Sequence, residues 1–232
     1  MLSPIRDFNF IQARVRQTLD KGVQIDLSTE SCKRFLRRKV NQKIGVVILY
    51  VDIDGSMKMS RSLPPGKFAT ILHIFSQEMS LVIAECGGYV LKYVGDAVIA
   101  LFPAEYDSGQ ASKSAVECAK GMQEIIKKCI NPELRSHGLP EIKVKMSVDY
   151  GNVQVVLYGK SIELSHIDIV GSSISMAAKM IPLAQKWQIA VGQSVYEKLA
   201  NKNDFVEIKV DPARWTYVDE KSGSSYRLHA LR

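Results

Sequence analysis

The chain has 232 residues, 46% hydrophobic and 24% charged, with a formal net charge of +7. That length allows a sizeable core in one large domain, or in one domain plus an arm. No apolar run approaches the roughly 20 residues that cross a bilayer, and MLSPIRDFNFIQ lacks the apolar centre of a signal peptide, so a cytoplasmic protein with no membrane span is expected.

Residues 5–20 and 29–43 read as two helices, the second opened by Ser and Thr caps in DLSTES with Glu30 near its start. Together they form a helical arm, residues 1–43, ahead of a domain spanning 44–232. Much of the basic excess lies in CKRFLRRKVNQK, residues 32–43. This is a solvated helix face, or an arm that binds an anion or a partner. Cys32, Cys86, Cys118 and Cys129 form no CxxC pair, and no His stands at zinc spacing, so reduced structural thiols are expected.

GVVILYVD, residues 45–52, is a short β-branched run that reads as a buried strand ending in acid. After a Pro-Pro turn, residues 66–88 carry Phe68, Ile71, Leu72, Phe75, Met79, Val82 and Ile83 at helical spacing, with Gly87 and Gly88 as the stop. YVLKYV and AVIALF read as a hairpin about Gly95-Asp96. A second long helix covers ASKSAVECAKGMQEIIKKCI, and KVKMSVDYG with VQVVLYG reads as another hairpin. GSSISMAAKMIPLAQK is a third helix. QIAVG, a helix at SVYEKLA, and strands at FVEIKV, WTYVD and YRLHAL complete the chain. The order is βαββαβ with extra C-terminal α and β elements, an α+β, ferredoxin-like arrangement. Helices cover one face of such a sheet, and a second copy of the chain could cover the other.

Asp52 closes the first strand, and Asp96 sits in the turn of the hairpin that pairs with it. Read singly, Asp52 is a helix cap, Asp96 a turn residue, and Asp54 a turn residue or a ligand. Two convergent carboxylates without His or Cys suit a hard cation such as Mg²⁺ or Mn²⁺, which keeps positions open for substrate phosphates. Gly55 lets the backbone approach a phosphate where the next helix begins.

VDIDG, LKYVGDAVIALF and IDIVGSSISMAAKM, in this order and at these separations, resemble the class III adenylate/guanylate cyclase catalytic domain over roughly residues 44–230. The resemblance implies two metal ions per site, Mg²⁺ or Mn²⁺, held by Asp52, Asp96 and the backbone carbonyl of Ile53. It makes Gly55 and Ser56 the triphosphate turn, with Lys221 as a phosphate contact and Lys160 as a weaker one. Lys92 and Asp168 match the purine readers of adenylate cyclases. A lysine donates to adenine N1 and an aspartate accepts from the 6-amino group, whereas guanine presents the opposite pattern. Ser175 and Lys179 stand where the family carries an Asn that orients the ribose and an Arg that stabilises transition-state charge. Ser is shorter and Lys lacks the planar fork.

The activity so implied is conversion of ATP to 3′,5′-cyclic AMP and pyrophosphate at a homodimer interface with two shared sites. Ser175 and Lys179 leave an alternative, a weakly active or inactive cyclase-like domain serving as a nucleotide-binding or dimerisation module. A nucleic-acid partner is not expected: AVIALF lacks the paired aromatic and basic residues of an RNA-stacking sheet.

Overall fold

The computed structural model describes residues 7–23, 25–162, 164–219 and 222–232. Two helices come first, α1 (Phe8–Lys21) and α2 (Glu30–Arg37). Then follow β1 (Lys43–Ile53), α3 (Ser56–Ser62), α4 (Pro65–Glu85), β2 (Tyr89–Val94), β3 (Ala97–Pro103) and α5 (Ser108–Ile125). A π-helical turn, Ile126–Ile130, leads from α5 into α6 (Asn131–Ser136). The chain continues with β4 (Val144–Tyr158), β5 (His166–Val170), α7 (Ser172–Met180), β6 (Ile189–Gly192), α8 (Gln193–Tyr196), β7 (Phe205–Ile208) and β8 (Leu228–Leu231).

The strands make one sheet in the order β2-β3-β1-β4-β6-β8-β7, with β5 paired to β4. β1 runs antiparallel to both β3 and β4, and β6 alone joins its neighbour β4 in parallel. The first four strands therefore lie in the order expected of a βαββαβ core, each strand being separated by its helix from the next parallel one.

Alternation along β1 divides the protein into two layers. Val47, Leu49, Val51 and Ile53 enter a core with Ile71, Phe75, Met79 and Ile83 of α4 and with Ala115, Ala119 and Met122 of α5. Ile44, Val46 and Ile48 point the other way, to a second core holding Cys32 and Leu36 of α2, Ile167 and Ile169 of β5 and Ala177 of α7. The second face is thus covered in part by elements of the same chain. α1 joins the first layer through Ile11 and Val15. It is tied there by Arg14, which forks onto the fully buried carboxylate of Glu78 in α4 at 2.9 and 2.5 Å. Removing either partner would leave a charge unpaired in or near the core.

Three expected elements differ. The helix over 29–43 ends at Arg37, because Asn41 takes a positive φ of 62° and its N–H is drawn to the carbonyl of Val155 at 3.1 Å. The hairpin expected within residues 143–159 is one continuous strand, β4, since Gly151 and Asn152 pair in register with Val46 and Gly45 of β1. Gly151 serves close packing: a Cβ there would meet the Ser173 Cβ of α7 at 2.9 Å. The true hairpin partner is β5. Finally, WTYVD is no strand beyond a single bridge from Val218 to Ser225.

Candidate active site

Asp52 lies one residue after Val51 and one before Ile53, both buried on the helical side, so its carboxylate faces the opposite side of the sheet. Its cross-strand neighbours are Ala97 of β3 and Lys145 of β4. Asp96 immediately precedes Ala97 in the β2–β3 turn. The hairpin register therefore delivers the second acid to the first. Burial pushes the Asp52 carboxyl up to about 6, and the negative charge of Asp96 adds to the rise. Lys145 pulls against it without cancelling it. Tyr50, on the same face, is also raised, by burial first and then by the two acids.

Asp54 is engaged elsewhere. Its oxygens pair with Lys145 Nζ at 3.0 Å and Lys186 Nζ at 3.6 Å. Lys145, which also lies across from Asp52, thus stands beside the acid pair, and Lys186 stands beside Asp54.

Asp52 and Asp96 fit a divalent cation. They are oxygen donors whose close approach penalises double ionisation, and a cation between them removes that penalty. Among the described residues no three His, Cys, Asp or Glu side chains converge into a closed cage. A cation on this pair would keep positions for backbone, water and substrate oxygens.

Gly55 adopts φ 80°, ψ 16°, a left-handed turn, which swings the chain from β1 into α3 at Ser56. Ile53 is buried with its side chain on the helical side.

A second cluster forms on the same side of the sheet. Lys92 is paired with Ile99, whose side chain belongs to the second core. β4 pairs with β1 over residues 144–154, and its last residues, 154–158, pair with β5. This long strand brings Asp168 to Lys92, Nζ to Oδ2, at 2.5 Å. The other Asp168 oxygen accepts from the Ile169 N–H at 2.9 Å. The pair borders a cavity of about 310 Å³ whose far side is α2. There the Cys32 thiol is pushed up to about 12 by burial and, next, by the charge of Asp168.

Ser175 and Lys179 lie on the exposed side of α7, one turn apart. A hydrogen bond at 2.6 Å from Ser147 Oγ to the Ala177 carbonyl fixes the helix to β4. The Lys179 ammonium donates to the Tyr217 hydroxyl and lies 4.8 Å from that ring's centroid. Lys160 is exposed beyond the end of β4. Lys221 lies outside the described residues.

The expected site residues therefore gather as two pairs, Asp52 with Asp96 and Lys92 with Asp168. Of the α7 residues, Lys179 is held apart on Tyr217 and Ser175 stands exposed one turn before it. Sequence reasoning missed Tyr50, Lys145, Lys186 and Tyr217, and although it expected a helix over 29–43 it did not place that helix beside the Lys–Asp pair. For Lys145 a signal existed: once β4 is read as one strand antiparallel to β1, it falls opposite Asp52. For Cys32 and Leu36 the signal was their four-residue spacing on an otherwise basic helix.

The chain matches the adenylate and guanylate cyclase catalytic domain over residues 39–221. It belongs to that family. An adenylate cyclase of Anabaena cylindrica is 30% identical over 193 residues, 80% of this chain and 37% of its own length. A cytidylate cyclase of Escherichia coli is 26% identical over 194 residues, 79% of this chain and 42% of its own. The chain thus spans about two fifths of the length of these relatives. In fold it is similar to the guanylyl cyclase Cya2, with a TM-score of 0.69 at 19% identity, over 83% of this chain and 93% of that one.

Proposed function

We propose that this chain is a nucleotidyl cyclase that converts ATP to 3′,5′-cyclic AMP and pyrophosphate. The observation that carries the reading is the placement of an acid pair and a Lys–Asp pair on one face of one sheet. Lys92 would donate to adenine N1 and Asp168 accept from the 6-amino group, each exchanging its present partner for the base. Lys145 and Lys186 stand where a triphosphate held near Asp52 would meet positive charge. Gly55 and Ser56 would turn the backbone towards it, and Lys221 would add a further phosphate contact.

Mg²⁺ or Mn²⁺ held by Asp52, Asp96 and the Ile53 carbonyl would, as two ions, activate the ribose 3′-hydroxyl and neutralise the triphosphate. In the reaction the 3′-oxygen bonds to the α-phosphorus, its proton passes to solvent, and the bond from that phosphorus to the bridging oxygen breaks so that pyrophosphate leaves with that oxygen and its electron pair. Ser175 would orient the ribose, and Lys179, released from Tyr217, would meet charge on the phosphate as that bond breaks.

This reading calls for a head-to-tail homodimer. Lys179 rests on Tyr217 rather than on the acids of its own chain. Tyr158, Leu164 and Val170 of the β4–β5 hairpin stand exposed, Leu164 by 91%, which suits cover by a second copy. Residues 1–43 would act as the arm that receives a regulatory partner, and 44–232 as the cytoplasmic catalytic domain.

Mixing two inactive variants tests this. Asp52→Ala and Lys92→Ala chains, each dead alone, should regain activity when co-assembled, because one of the two sites is then wild type throughout. Mixed dimers that form and stay inactive would refute the shared site. Ser175 and Lys179 favour a second reading, a nucleotide-binding regulatory module. ATP binding without cyclic product in Mn²⁺ would establish it.

A further inference from the structure

The Lys92–Asp168 pair reads less than it first suggests. It offers one N–H donor and one oxygen acceptor, side by side. Adenine answers with an acceptor at N1 and a donor at its 6-amino group. Cytosine answers identically, with an acceptor at N3 and a donor at its 4-amino group. Guanine and uracil present a ring N–H beside a carbonyl, the reverse order, and leave both protein groups mispaired. The pair thus separates amino bases from oxo bases, and says nothing of one ring against two.

Size must then be judged by what faces the pair across the cavity. That surface is α2. Thr29, Cys32 and Leu36 line it on one side, and Leu91 and Ile167 of the sheet on the other. α2 is not loosely laid there. Cys32 and Leu36 are each only 1% exposed within the second core. Phe35 stacks on Tyr89 of β2 with ring centroids 5.3 Å apart. Arg37 turns back to Glu30 at 2.5 Å. Burial first, and then the charge of Asp168, raise the Cys32 thiol. Cys32, Leu36, Leu91 and Ile167 pack together as the apolar floor of the cavity, so a base meeting Lys92 and Asp168 edge-on would lie over that floor with Thr29 beside it.

Building on the cyclase reading above, we infer that α2 is the specificity wall of the base pocket. The site takes amino-base nucleoside triphosphates as a class, and Thr29 and Cys32 set the balance between ATP and CTP. Neither residue touches the reacting atoms. Their effect is on the base, so it must appear as a change of ratio between nucleotides rather than a uniform loss.

The experiment is calorimetric titration of the full chain with the α,β-methylene analogues of ATP, CTP, GTP and UTP in Mg²⁺, so that binding is read without turnover. Thr29 makes no side-chain cap bond to α2 and is only part-buried, so Thr29→Trp narrows the cavity without removing a cap. It should lower the ATP-to-CTP ratio of association constants at least tenfold. Cys32→Ala widens the cavity and should raise that ratio severalfold, and it stands as an independent test should the tryptophan variant fold poorly. The oxo-base analogues should bind at least tenfold more weakly than the amino-base pair in the wild type and in both variants. An unchanged ATP-to-CTP ratio in a folded variant that still binds would overturn the role of α2 alone. Wild-type protein that binds the GTP or UTP analogue as tightly as the amino-base pair would instead overturn the base-reading assignment, and this inference with it.

Discussion

The acid pair and the Lys–Asp pair occupy the same face of the same sheet, yet they are opposite electrostatic objects. Asp52 and Asp96 are like charges brought together by strand register, and the charge of Asp96 makes the half-buried Asp52 harder to ionise. Lys92 and Asp168 are unlike charges already joined at 2.5 Å. The first pair is incomplete without a cation. The second is satisfied without ligand, and binding a base only exchanges one set of hydrogen bonds for another. Metal should therefore stabilise the protein measurably, whereas the base must gain its affinity from stacking and fit in addition to the pair.

The largest effect should come from breaking the acid pair. Asp52→Ala or Asp96→Ala should reduce cyclisation by roughly a thousandfold or more, as expected when electrostatic stabilisation of the reacting phosphate is lost. Neither should lower the melting temperature of the metal-free protein, since each removes a repulsion. Addition of Mn²⁺ should raise the melting temperature of the wild type and leave both variants unmoved. Equal metal stabilisation in the variants would place the cation elsewhere.

Asp149 sharpens the contrast, because it reaches the same value with no like charge beside it. Its carboxyl is also pushed up to about 6 by burial, here against hydrogen bonds from Tyr226 Oη at 2.6 Å and Ser194 Oγ at 2.8 Å. No second acid contributes. In the unfolded chain its pKa is near 3.8. Between about pH 4 and pH 6 the folded state holds the proton more often than the unfolded state. Stability therefore falls as pH rises through that window, by about 3 kcal/mol at most for this group, and is flat above it. Denaturant titrations of wild type and Asp149→Asn at pH 4 and pH 6.5 isolate this, since the difference between the two chains should change by about that amount. A constant difference would mean that the buried carboxylate is already ionised at pH 4.

The Lys–Asp pair is broken most informatively by reversal. Lys92→Glu should lower use of ATP by roughly a hundredfold, because a donor at N1 becomes an acceptor. Adding Asp168→Ser should shift preference towards GTP, read as a ratio of kcat/KM values. A double variant with the parent's ratio would show that the base lies elsewhere.

The smallest effect concerns the residues held apart on α7. Lys179→Ala should slow turnover by about tenfold, since an exposed ammonium is a weaker phosphate partner than a guanidinium. Lys179→Arg with Ser175→Asn should raise kcat more than it changes KM, as contacts made in the transition state do. An alanine variant as fast as the parent would leave Lys179 as a surface residue stacked on Tyr217.

What the sequence by itself determined is local. β1 is legible because a β-branched run is buried along its length, and the β2–β3 hairpin because Gly95-Asp96 sits between two such runs. The acid pair follows from these two elements, since strand register alone carries Asp96 to Asp52. What only the tertiary structure decided involves distant partners. Lys92 and Asp168 are 76 residues apart, and they meet because β4 continues past β1 where a Gly-Asn pair suggested a turn. That glycine answers to the approach of Ser173, a contact invisible in any local window. Lys145 becomes a neighbour of the acids only through the same strand. α2 reads as a charged surface helix of an arm, yet Cys32 and Leu36 bury two of its positions against the sheet. Two apolar residues in a basic helix carry a weak periodic signal, and the burial that outweighs it is available only when the sheet beneath has formed.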